Sequence, residues 1–193
     1  MHKQLIIVLI MSLVACGPKG DAGYAGKSEA TTAKAPGTET QNGTTKTYTT
    51  SAYSVHYPAD WTLSLEGSND VEFQLFSPLD SSDDTFRENV NLLVQDLRGQ
   101  PVKTLDQYVG ISESQIVAML TDSEIQSSER LRRNGREFHK VEFSARQGKF
   151  LLKHVQYYFL DHTTVYALTF TSLADEFEAN REKGLKILDS FDF

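Results

Sequence analysis

Between residues 124 and 172 the chain reads as four long segments broken only by turn-forming pairs: Asn134-Gly135, Gln147-Gly148 and Asp161-His162. Asn-Gly is the preferred pair of a type I′ hairpin, because both central positions need positive φ. Extended segments joined by reversals this short can pair only with their neighbours, and antiparallel. The spacing therefore predicts a four-strand meander over 124–133, 136–146, 149–160 and 163–172. Charge supplies a register. A two-residue turn at Asn134-Gly135 sets Glu129 opposite Lys140, and one at Gln147-Gly148 sets Glu142 opposite Lys153, on one face with Phe138 and Tyr157. Opposed charges across strands contribute roughly 0.2–1 kcal/mol each. Val141, Phe143, Phe150 and Leu152 take the other face, an apolar surface for helices to cover.

The remaining elements follow from the same patterns. Tyr53 to Tyr57 alternates at period two and runs into Pro58. Gly67-Ser68-Asn69-Asp70 is a turn before a strand over 71–76, residues 78–84 are loop, and 89–97 form a strand with Val90, Leu92 and Val94 on one face. Thr104-Leu105-Asp106-Gln107 has the form of a capping box. The helix it opens turns Leu105, Tyr108, Val109, Ile116, Val117 and Leu120 inward. A second helix over 174–188 turns Phe177, Leu185 and Leu188 inward and is weakened by Gly184. The class is α+β, a twisted antiparallel sheet flanked by helices in one domain over 48–193, long enough to bury a core.

The N-terminal stretch has a different logic. His2 and Lys3 precede an apolar run from Leu5 to Val14, too short for a permanent membrane span, then Ala15 and Cys16. This order resembles the lipobox of bacterial lipoproteins. The resemblance implies a signal peptide over 1–15, with Cys16 diacylated by palmitate-type chains, cleaved to become the first residue, and N-acylated. Two or more chains hold a protein to a membrane firmly, where one alone is marginal. Residues 16–47 are the lipidated cysteine and a Gly-, Thr-, Ala-, Lys- and Ser-rich segment with Tyr24 as its one large apolar side chain. Such a composition predicts a disordered tether, with an r.m.s. reach of roughly 30 Å. Cys16 is the only cysteine, so no intrachain disulfide forms. In a Gram-negative host, Gly17 in place of an aspartate after the cysteine points to the periplasmic side of the outer membrane.

The chain carries −7 overall; Lys3 gives +1 to residues 1–15, and residues 17–47 carry +1, which leaves −9 on 48–193. A domain so acidic has no footprint for nucleic acid. No nucleophile elbow, phosphate-binding glycine loop or paired-cysteine motif is present, so the chain reads as a non-enzyme with no cofactor. Two sets of residues remain as candidates for a site. Asp83, Asp84 and Arg87, in the loop 78–89, combine with Arg132, Arg133 and Arg136 at the Asn134 hairpin as a surface for an envelope protein partner. The alternative is a metal or hydrolytic site. In the charge-derived register His139 opposes Gln156 and His154 opposes Val141, which makes the two histidines diagonal neighbours, with Glu137 on their face; zinc sites use such ligands.

Tyr57-Pro58-Ala59-Asp60-Trp61 resembles the Tyr-Pro-x-x-Trp signature of PsbP-like proteins. Arg87-Glu88-Asn89-Val90-Asn91-Leu92 is similar to their third-strand segment, and the stretch from Tyr166 to Thr171 with Ser190-Phe191 is similar to their closing strand and helix. The resemblance covers residues 48–193 and extends to DcrB-like bacterial lipoproteins. It implies an antiparallel sheet flanked by helices and a binding or accessory role; plant and cyanobacterial members are extrinsic photosystem subunits, and a eukaryotic relative binds a small GTPase. The expectation is a membrane-anchored envelope lipoprotein acting by noncovalent binding.

Overall fold

A computed structural model describes residues 37–66 and 71–193. The signal peptide, Cys16, the tether up to residue 36 and the turn at 67–70 lie outside the described residues. In chain order come strands β1 (Thr38–Asn42), β2 (Thr45–Thr49), β3 (Ser54–Pro58), β4 (Thr62–Ser64), β5 (Val71–Phe76) and β6 (Asn89–Asp96), then helix α1 (Leu105–Met119). Strands β7 (Thr121–Arg133), β8 (Arg136–Gln147), β9 (Phe150–Asp161) and β10 (Thr164–Leu173) form the meander, and helix α2 (Phe177–Asp189) follows. The large sheet has the order β4-β5-β6-β10-β9-β8-β7, and a small sheet has the order β1-β2-β3. Every pairing is antiparallel, and the fold is α+β.

Each face of the large sheet buries its own core. On one face α1 packs Leu105, Tyr108, Val109 and Ile116 against Val141, Phe143, Tyr158 and Val165. On the other, α2, the small sheet and the turn after β3 bring Phe177, Ile187, Tyr48, Tyr57 and Trp61 onto Phe73, Val90, Leu92, Tyr157 and Phe170. Trp61 is a core anchor. The capping box forms as its residues require: the Gln107 N–H donates to Thr104 Oγ1 and the Thr104 N–H to Gln107 Oε1, both at 3.2 Å. Gly184 has a packing reason. A Cβ there would lie 2.5 Å from the Phe170 ring, so the glycine lets α2 close on β10.

Four expectations are corrected, one of them the last reversal of the meander, which is His162-Thr163 with Asp161 opposite Thr164 instead of Asp161-His162. Residues 38–47, assigned to the tether, instead form the β1–β2 hairpin. Val117 is 62% exposed: positions 105, 108, 109, 112 and 116 form the buried stripe, and residue 117 lies about 100° beyond Ile116. The fourth correction is register. At Asn134-Gly135 both residues take positive φ and Glu129 opposes Lys140, as expected. The next turn is Gly148-Lys149, with Gln147 opposite Phe150 and positive φ at Gly148, the first central position, where a type II′ turn requires it. Glu142 therefore opposes Val155, and Lys153 opposes Ser144. A slip of two residues keeps every side chain on its own face and changes only its neighbours. Edge strand β7 carries two irregularities, between Thr121 and Glu124 and between Ile125 and Ser127.

Candidate functional site

The ladder separates the two halves of the expected binding surface. Asn89 opposes Thr171, Thr171 opposes His154, and His154 opposes Phe143, so the end of the loop 77–88 is level with Phe143 on β8. Arg136 lies seven residues before Phe143 on that strand, roughly 24 Å away at the strand rise. The acidic loop and the arginine hairpin thus occupy opposite ends of the sheet.

At the loop end most polar groups hold the loop itself. Asp84 accepts from the N–H groups of Phe86 (2.9 Å) and Asp80 (3.1 Å). Arg87 donates through Nε to the Ser77 carbonyl and lies over the Phe76 ring at 5.4 Å. Phe86 is buried edge-on against Phe150, centroids 5.6 Å apart. Buried Glu88 accepts from the hydroxyls of Ser77 (3.0 Å) and Ser172 (3.3 Å). Asp83 is exposed. The start of α2 adds Asp175 and Glu176. The Glu176 carboxyl is pushed above its ordinary pKa, first by desolvation and then by the charges of Glu88, Asp175, Asp84 and Asp80. Beside this acidic surface stand exposed Leu79 and Leu151; the Leu151 carbonyl accepts from the Ala174 N–H at 3.0 Å.

At the other end the arginines are engaged within the molecule. Arg132 pairs with Glu137 at 3.2 Å, and Arg130 with Asp106 and Glu137. Arg133 pairs with Asp189 and lies over Phe138 and Tyr157; Arg136 pairs with Asp192 at 2.9 Å and lies over Phe193 at 4.2 Å. Their charges clamp the hairpin to α1, α2 and the C-terminal residues. Glu142, on the same face as Phe138, is held ionised in a similar way: burial works against the carboxylate, but Arg181 (2.5 Å), Lys140 and Lys153 outweigh it and lower its pKa.

The register change also dissolves the histidine pair. His139 opposes Tyr158 and His154 opposes Phe143, four residues further along β8, roughly 13 Å. His154 is 1% exposed, stacked on Phe143 at 4.6 Å and bonded through Nδ1 to Thr171 Oγ1 at 3.0 Å. Burial pushes its pKa down to about 3. His139 bonds through Nε2 to Ser128 Oγ at 2.7 Å, and Ser128 donates to Glu113. Its pKa is lowered by burial first and by Arg130 second. Glu137 is committed to the arginines. Among the described residues no group of three or more His, Cys, Asp or Glu side chains is placed to hold a metal ion.

Sequence reasoning missed a groove between the β1–β2 turn, the end of β3 and the last turns of α2. The hairpin that walls it has the polar composition of a tether, so nothing in its sequence marks a groove. The available signal was weak: Asn42-Gly43 suggests a hairpin, flanked by polar residues instead of alternating apolar ones, and the turn itself is Gly43-Thr44, with Asn42 opposite Thr45.

No family model and no curated protein matches this chain by sequence. Solved structures do match in fold. The chain is similar to cyanobacterial PsbP (CyanoP) from Synechocystis sp. PCC 6803, with a TM-score of 0.60, 15% identity and coverage of 79% of this chain and 94% of that one. It is also similar to LpqN of Mycobacterium tuberculosis, described as involved in cell envelope biogenesis (TM-score 0.54, 12% identity, 81% and 89% coverage). The Ran-binding protein Mog1p of Saccharomyces cerevisiae matches with a TM-score of 0.51, 9% identity and coverage of 82% and 96%. The domain therefore has the antiparallel α+β fold of PsbP-like and Mog1-like structures.

Proposed function

We propose that this chain is a lipid-anchored protein of the bacterial cell envelope that works by noncovalent binding and presents the acidic loop end of its domain to a protein partner. The observation that carries this reading is the polarity of the domain. Thr38 opposes Thr49, Thr49 opposes Ser54, and Ser54 bridges Asp192, which pairs with Arg136. The chain thus enters the domain at the arginine end, and an anchor at Cys16 attaches through that end and leaves the opposite end free of the tether. That far end carries two exposed leucines, Leu79 and Leu151, together with Asp80, Asp83, Asp175 and Glu176, which suits a partner segment carrying apolar and basic side chains. LpqN, similar in fold, is an envelope protein by its description, which supports the compartment. In a Gram-negative host the place is the periplasmic side of the outer membrane.

Capture of the full chain from envelope membranes, read by mass spectrometry, tests the proposal. Wild type is expected to carry acyl chains and to retain a partner. Cys16→Ala should lose the acyl mass and leave the membrane fraction, while Leu79→Asp with Leu151→Asp should stay acylated and lose the partner. A partner retained by the double variant would remove the loop end from the interface, and an unmodified Cys16 would remove the anchor.

A further inference from the structure

We infer that the groove between the small sheet and α2 is a binding site for a single-chain amphiphilic anion, an acyl chain ending in a carboxylate or phosphate. The groove has a volume of about 600 Å³, within the range of small-molecule sites. Its apolar lining comes from Tyr57, Pro58, Ala59 and Ile187, the same turn that resembles the PsbP-like signature and the buried face of α2. Lys183 and Lys186 line it from α2, three residues apart on one helix face. Among the described residues Lys186 pairs only with Glu182 of its own helix, at 2.7 Å, and both side chains are largely exposed, an arrangement that an incoming anion displaces at little cost. Lys183 is exposed, and among the described residues no carboxylate pairs with it, whereas all four arginines of the hairpin are paired. Asp60 also lines the groove, and His56 is bonded through Nδ1 to Thr47 Oγ1 at 2.8 Å.

An apolar wall beneath two lysines discriminates on both ends of a ligand. A neutral chain leaves the ammonium groups without a counter-charge, and a small anion leaves the wall unburied. In a domain of net −9, the groove is a local exception where an anionic head finds cations. The backbone that builds it is held independently of the lysines, since the Ala59 N–H donates to the Thr44 carbonyl at 2.9 Å and the Ser190 hydroxyl bridges the His56 backbone. The site can therefore be probed without unfolding the domain.

Titration calorimetry of the full chain with octanoate, below its micelle concentration, is expected to give saturable 1:1 binding. Octyl glucoside (neutral head, alkyl chain one carbon longer) and acetate (same head, a methyl in place of the chain) should each bind at least about tenfold more weakly, a difference of about 1.4 kcal/mol. Lys183→Gln with Lys186→Gln should weaken octanoate about tenfold and leave the thermal midpoint unchanged. Ala59→Trp, which fills the groove, should abolish binding, and NMR shift changes on octanoate addition should centre on residues 56–60 and 183–187. Equal binding of octyl glucoside, indifference to the lysine pair, or shifts elsewhere would overturn the site. Octyl phosphate and phosphatidylglycerol vesicles distinguish the sources of the head group. Competition by octyl phosphate alone assigns a free amphiphile, competition by both extends the site to bilayer lipid, and competition by neither overturns the phosphate arm.

Discussion

His154 shows how burial sets a single side chain's chemistry. It is neutral in the folded protein, with a pKa near 3, whereas an unfolded-state histidine titrates near 6.5. Between those values the unfolded chain binds the extra proton, so stability is full above about pH 6.5 and falls as pH drops, by about 1.4 kcal/mol per pH unit. The urea midpoint should therefore drop between pH 7 and pH 5.5, before most carboxylates titrate, and the drop should shrink in His154→Gln. An equal drop in that variant would show that other groups carry the acid sensitivity. Gly184 makes a second prediction at this scale. Gly184→Ala places a methyl against the Phe170 ring and should cost about 1–3 kcal/mol by overpacking, read as a lowered urea midpoint, although alanine is the better helix former. Part of this was legible: period two correctly placed His139 and His154 on one face. Their separation was not, because it depends on whether the reversal uses Gln147-Gly148 or Gly148-Lys149, and Gly148 belongs to both pairs.

Among the elements, the meander and α1 were readable because each carries redundant signals: turn pairs, alternation, a capping box and an apolar stripe. The β1–β2 hairpin has almost none. All of β1 is exposed, and in β2 only Tyr48 is buried. What holds the hairpin is tertiary: β2 pairs with β3, and the Tyr57 hydroxyl donates to Glu39 at 2.6 Å. Removing residues 1–44 should thus expose Tyr57 and, by taking β1 from β2, accelerate amide exchange in β2, while β9 and β10 stay protected; unchanged exchange in β2 would make β1 an ornament. The β7–β8 hairpin gives the opposite lesson. Its arginines looked like a surface for a partner, yet Arg136 combines an ion pair with ring contact to Phe193. Arg136→Ala should lower stability by about 1 kcal/mol, measured by urea unfolding, and leave partner capture intact. Loss of the partner with stability unchanged would restore the hairpin to the interface.

At the scale of the whole molecule, strand order decides what residue patterns cannot. Nothing in local sequence says that the loop 77–88 and the Asn134 hairpin lie at opposite ends, because their separation is measured across β6, β10, β9 and β8. The same long-range pairing brings the chain's entry to the arginine end and leaves the acidic end distal. Edge strand β7 has a consequence for encounters between copies of the domain. A thirteen-residue open edge would let each encounter add a strand. The two irregularities in β7 break the even spacing of its outward N–H and C=O groups between Thr121 and Ser127, so a neighbouring chain cannot continue the ladder through that half of the strand. Strand addition at this edge is confined to the run from Ser127 to Arg133.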